Sequence, residues 1–233
     1  MIAVALFAAL SYAVSNGMRG GGDIVTDKQA ELKADQILQY ASRLKEGVSY
    51  LIGYSGCSES QISFWHDSNG DGAEDASDEY FNSDSPTNKR CHLFNPNGAG
   101  LNHQNIGGSI DPTIVQRYAA TGARTVEGIG TDDLADIYFS IYEGSNQNLG
   151  FEKICENINS RAGIEKTGLA PSGFFDPATT WMNFVTFTFP YTGENLSIPF
   201  ASSRGFDWLN GSRYFCVGHA AGKTLFSFTL LER

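Results

Sequence analysis

TDKQAELKADQILQYASRLKEGVSYLIGY, residues 26–54, is the stretch that decides the fold. Ala30, Ala34, Ile37, Ala41, Leu44, Val48 and Leu51 recur at alternating spacings of four and three. That period places all of them on one side of an α-helix, and Leu38 and Ile52 widen the stripe. Thr26 opens the segment and Gln29 follows three residues later, the pattern of a capping box. A long amphipathic helix is therefore expected over about residues 26–54. The simplest use of its stripe is packing on a sheet; its small first members would also admit a neighbouring helix.

Upstream the chemistry changes. Residues 1–14, MIAVALFAALSYAV, are almost wholly apolar, and no charged residue precedes Arg19. As a helix this stretch would rise roughly 21 Å, short of the roughly 30 Å of hydrocarbon that about 20 residues span. It reads as a signal-peptide core, as a buried helix, or as an anchor that later packs against copies of itself. No Lys or Arg precedes the apolar run, which counts against the first. Asn16-Gly17-Met18-Arg19-Gly20-Gly21-Gly22 then interrupts any helix, each Gly costing about 1 kcal/mol relative to Ala. The expected organisation is an apolar segment with its glycine break over 1–24 and one globular head over 25–233.

The whole chain has 233 residues, with 16 Lys+Arg against 26 Asp+Glu and a net charge of -10. Such acidity excludes a phosphate-backbone partner, so no nucleic acid is expected. A hydrophobic fraction of 41% excludes a disordered chain.

Beyond residue 54 the pattern becomes loops and short strands. Strands are expected at 62–65, 136–142 and 182–189, with a closing hairpin of 213–218 and 224–231. A second short helix is expected over 151–162, ending at Gly163. One long helix followed by meandering strands predicts an α+β fold with a mostly antiparallel sheet.

Four cysteines, Cys57, Cys91, Cys155 and Cys216, lack the C-x-x-C spacing of zinc or redox sites. Two disulfides in an extracytoplasmic compartment are expected, and of three connectivities Cys57–Cys91 with Cys155–Cys216 is favoured.

The sharpest chemical motif begins Asp67-Ser68-Asn69-Gly70-Asp71-Gly72, matching the front half of a calcium loop. Calcium takes six to eight oxygens, and alternate positions of a tight loop can aim them at one point. The expected ligands are Asp67, Asn69, Asp71, the Ala73 carbonyl, Asp75 and Asp78, with Gly72 making the turn. The ion would be structural. The bland alternative is a solvated acidic turn, since residues 67–79 hold six carboxylates and no Lys or Arg.

Nothing in the sequence displays a catalytic constellation. His66, His92, His103 and His219 are scattered without metal-ligand spacing, and nucleophile-elbow, phosphate-loop and zinc-protease motifs are missing. No enzyme is expected. Trp65, Trp181 and Trp208 read as core residues before they read as a binding platform. The sequons at Asn195 and Asn210 are weak signals.

The apolar amino-terminal segment, the glycine break, the amphipathic continuation and the strand-rich, cysteine-closed body resemble type IV pilins and pseudopilins. MIAVALFAALSYAV with the following RGGG is similar to a group of largely uncharacterised bacterial pilin-like proteins. So are Lys89-Arg90-Cys91-His92-Leu93-Phe94-Asn95-Pro96 and the terminal Leu230-Leu231-Glu232-Arg233. The resemblance implies a subunit held in the inner membrane by its first helix, then polymerised into a cell-surface filament. The self-association would run through Ile2, Val4, Leu6, Phe7 and Leu10 in a central helical bundle, served by pilus or type II secretion-like machinery. No acidic residue occurs in the first 18 positions to match the family's early glutamate. Met1 is expected to be an internal start or trimmed end, about seven further apolar residues completing a span. A second expectation is a membrane-anchored minor pilin or adhesin-type module that recognises a glycan or protein.

Overall fold

The computed structural model describes residues 26–68, 70–75, 78, 80–119, 124–125, 129–130, 137–143, 148–164, 198–199, 211–219 and 223–232. The apolar segment and glycine break over 1–24, the residues Ile2, Val4, Leu6, Phe7 and Leu10, and the expected strand 182–189 lie outside these. So do Asn69, Trp181, Trp208, the sequon at Asn195 and the Asn210 of the second sequon.

The capping box forms as its spacing requires. Gln29 N–H donates to Thr26 Oγ1 at 3.3 Å and Thr26 N–H donates to Gln29 Oε1 at 3.0 Å. Helix α1 runs from there over Asp27–Gly53, and the seven stripe residues from Ala30 to Leu51 are fully buried. Leu38 and Ile52 pack at the margin of the core. Two further buried positions, Tyr40 and Gly47, belong to the same face. Gly47 is explained by proximity: a Cβ there would lie 2.8 Å from both Leu93 Cδ1 and Leu101 Cδ1.

Helix α2 is a single turn, Ile106–Ile110, and α3 spans Leu149–Arg161. Asn148 Oδ1 accepts from Phe151 N–H at 3.0 Å to cap α3. At its other end Gly163 takes φ 72°, and Ile164 N–H returns to Asn159 O at 2.9 Å, the stop expected from the glycine.

The strands are β1 Ile114–Ala119, β2 Arg124–Thr125, β3 Ile137–Glu143, β4 Ile198–Pro199, β5 Tyr214–His219 and β6 Lys223–Leu231. Four form an antiparallel sheet in the order β1-β3-β6-β5, while β2 and β4 pair in parallel. The closing hairpin appears as expected, with Cys216 opposite Phe226. The segment 62–65 differs from its expectation. It makes one isolated bridge, Ser63 to His92, through Ser63 N–H to Cys91 O and Leu93 N–H to Ser63 O, and joins no ladder among the described residues. Strand β1 lacked a clear alternating signal and was not anticipated.

Ile137, Phe139 and Ile141 of β3 join Phe226, Phe228 and Leu230 of β6 in one core with the α1 stripe. The protein is thus α+β, a helical layer on an antiparallel sheet. Both expected disulfides are present, with Cα–Cα separations of 5.8 Å for Cys57–Cys91 and 5.4 Å for Cys155–Cys216. The second ties α3 to β5. Asn159 reinforces it, donating to Cys216 O at 3.0 Å and accepting from Cys216 N–H at 2.7 Å. Near the carboxyl end Glu232 holds Lys45 of α1 and, at 2.7 Å, Arg213 Nε. No helix among the described residues is long and apolar enough to cross a membrane.

Candidate functional site

Residues 55–105 carry little regular structure, so side chains and single backbone bonds must hold them. The Cys57–Cys91 bridge fixes one end. Ser63 N–H donates to Cys91 O at 3.0 Å and Leu93 N–H donates to Ser63 O at 2.9 Å. Asn82 Nδ2 supplies two more bonds, to Ser60 O at 2.8 Å and Ile62 O at 2.9 Å. At Gly98 the chain folds so tightly that a Cβ would meet His92 O at 2.0 Å.

This framework brings His66 and His103 face to face, their ring centroids 3.7 Å apart and their planes 12° from parallel. Tyr80 tilts against His66 at 5.3 Å, and Phe94 meets both imidazoles edge-on. The rings border a cleft of about 260 Å³, whose opposite wall is the edge strand β1 from Ile114 to Tyr118, with Asn105 at the rim.

The floor of the cleft is a closed polar network. Tyr118 OH lies 2.8 Å from Tyr40 OH of α1 and accepts from Gln116 Nε2 at 2.7 Å. Gln116 Nε2 also donates to Gln104 O at 2.8 Å, and its Oε1 accepts from Ile106 N–H at 2.8 Å and Gly107 N–H at 3.3 Å. Burial raises the pKa of both tyrosines, most strongly at Tyr118, so both stay protonated near neutrality. Burial, and then the neighbouring His66, lowers His103 to about 4. His103 is therefore a neutral ring that both donates and accepts.

The acidic loop beside this region is built of side-chain-capped turns. Asp67 accepts from Gly70 N–H at 2.7 Å and Gly72 N–H at 3.1 Å, and Asp71 from Ala73 N–H at 2.8 Å. Gly72 takes φ 76°, the sharp turn its position required. Asp78 Oδ2 accepts from Trp65 Nε1–H at 2.8 Å and from Asp75 N–H at 3.1 Å, so Asp75 and Asp78 sit together. Glu74 points elsewhere, 3.5 Å from Lys89 Nζ and 3.6 Å from His92 Nε2. Lys89 Nζ in turn lies 4.2 Å from the centre of the Trp65 ring. Trp65 is thus a core residue with its N–H used internally.

Burial foremost, and then the Lys89 charge, lowers His92 to about 4. With that ring neutral, its approach to Glu74 is a weak polar contact and no ion pair. Among the described residues no three His, Cys, Asp or Glu side chains gather into one metal-holding group. Calcium also draws on carbonyl and amide oxygens, so the loop's affinity for it is a question for titration.

The pairing of His66 with His103 was not foreseen. Thirty-seven positions separate them, and no spacing rule connects two such residues. Their only local signal is aromatic company, Phe64-Trp65 before one and Phe94 upstream of the other. Comparison of the chain with family models, with curated proteins and with solved structures finds no match.

Proposed function

We propose that this chain is a structural subunit of an extracellular type IV pilus-like filament. One observation carries the proposal: α1 presses a single buried face onto an antiparallel sheet, and across the glycine break the sequence upstream is the uncharged, apolar segment 1–14. A helix so placed joins an acidic, water-facing head to a stretch suited to lipid and then to copies of itself. Ile2, Val4, Leu6, Phe7 and Leu10 would form the filament core, after an inner-membrane stage and with pilus or type II secretion-like assembly machinery. Two disulfides suit the oxidising space outside the cytoplasm. The head would bind calcium through Asp67, Asn69, Asp71, Ala73, Asp75 and Asp78, the ion stabilising the loop. The subunit has no catalytic part in this reading.

Electron microscopy of sheared surface material from cells expressing the full chain tests the filament. Fibres that vanish on introducing a charge at Leu6 support it. A chain recovered only as detergent-bound monomer sinks it. Calcium is tested separately by the melting temperature of the full chain with chelator and with excess calcium. An ion that binds only the folded state at about 100 times its Kd adds about 2.7 kcal/mol, and an unchanged melt reduces the loop to an acidic turn.

A further inference from the structure

The cleft between the His66–His103 stack and strand β1 is a built site whose polar groups are divided into two sets. The floor is saturated internally: Gln116 uses both ends of its amide on the backbone and on Tyr118, and Tyr118 and Tyr40 share a hydroxyl contact. These groups are held before any ligand arrives, which lowers the ordering cost of binding. The rim differs. Among the described residues, neither ring nitrogen of His103 nor Asn105 Nδ2 makes a hydrogen bond. His66 Nδ1 lies 3.2 Å from Phe64 O. In the tautomer that donates this bond, Nε2 is left as an acceptor.

The size and chemistry of the cleft select a ligand class. Its volume of about 260 Å³ lies just under the 300–1,000 Å³ typical of drug-sized sites, enough for one six-membered ring with its substituents. The neutral His103 ring and an amide donor suit hydroxyl groups, which themselves both donate and accept. The electron-rich faces of stacked rings suit the weakly positive C–H face of a sugar. Arg117 lines the same cleft, so a carboxylate borne on the sugar ring is admitted as well. We propose that this cleft binds a single pyranose ring of a glycan, with the His66–His103 stack as platform and Asn105 as a hydroxyl partner. The site lies in the head, and its existence does not depend on whether the chain polymerises.

The test is nuclear magnetic resonance on the full chain at neutral pH, in a detergent lacking a sugar headgroup. Methyl pyranosides, a uronic acid and, as an anion control, citrate are titrated while the His66 and His103 Hε1 signals are followed. A pyranoside or the uronic acid should shift both signals with a Kd of about 1 mM or tighter. His103→Ala should weaken binding at least about tenfold, and Asn105→Ala about threefold, with chemical-shift dispersion elsewhere retained. Asn105→Ala stands at the exposed rim and guards against a variant that merely unfolds. The proposal is overturned if no saccharide moves the two signals. Binding that survives both substitutions overturns it too, as does citrate binding as tightly as the uronic acid, which would mark a general anion site. None of these outcomes bears on fibres in the microscope, so this proposal and the filament proposal fail separately.

Discussion

The helix–sheet layer and the loop region of residues 55–105 solve the same problem by different means. In the layer, α1 buries a periodic stripe on β3 and β6, and the backbone satisfies itself in helix and ladder. In the loop region the backbone has few regular partners. Asn82, Asp67 and Asn95 turn their side chains back onto nearby main chain, and a cluster of rings replaces the aliphatic core. Each region has one disulfide, but the bridges differ in what they add. Cys155–Cys216 joins elements of regular structure that Asn159 already holds, whereas Cys57–Cys91 closes a loop segment held beside it by the single bridge of Ser63 to His92. A region held by repetition tolerates the loss of one contact better than a region held by single bonds.

Substitution can break this contrast from either side. The largest effect is expected at Gly98, where a Cβ would press on the His92 carbonyl at 2.0 Å and only backbone movement relieves it. Gly98→Ala should cost about 4 kcal/mol or more in urea unfolding, in the exceptional range for one substitution. It should also disturb the Trp65 signal, through His92, before the sheet melts. Replacing Cys57 and Cys91 together by Ala should cost about 3–4 kcal/mol, by freeing a loop of 34 residues in the unfolded chain. Hydrogen exchange should then show residues 55–105 opening ahead of β3 and β6. Uniform loss of protection would mean the two regions are one cooperative unit. Leu44→Ala, in the layer, should cost about 3 kcal/mol and lower protection in helix and sheet alike.

Acid should act on the loop region selectively. His92 and His103 are both held at about 4, below the ordinary 6.5. A lowered histidine pKa means the unfolded chain binds the proton more readily, so stability falls as pH drops from about 6.5 to about 4 and then levels. His92, almost wholly buried with Lys89 and Glu74 beside it, should account for about 2–3 kcal/mol of that loss. His92→Phe should flatten the melting temperature over this interval, and a slope unchanged from wild type would assign it to other groups. The smallest effect belongs to the helix start. Thr26→Ala removes the cap from Gln29 N–H and should cost about 1 kcal/mol, read as fraying of the first turn of α1.

The same contrast governs what could be read in advance. The boundaries of α1, its cap and its seven-residue stripe follow from spacing, because a helix repeats its environment every turn. The hairpin β5–β6, the Gly163 stop of α3 and both disulfides were legible for similar reasons: short range, or few combinations. Strand β1 was not, since Ile114-Val115-Gln116-Arg117-Tyr118 does not alternate by polarity. It sits at the sheet edge with one wall on the cleft, and Gln116 faces a polar network instead of solvent. Segment 62–65 looked like a strand because it is apolar and aromatic, yet its burial comes from the ring cluster.

By itself the sequence determined the segregation of an uncharged first 18 residues from an acidic remainder, the α+β class, the long capped helix and the redox chemistry of the cysteines. These are properties of composition and of spacing within one or two turns. Only tertiary structure decided that His66 stacks on His103, that Glu74 turns toward Lys89 and His92, and that Glu232 ties Arg213 to α1. Those pairings join residues up to 187 positions apart. They arise from the route the chain takes around its core, which no local period encodes.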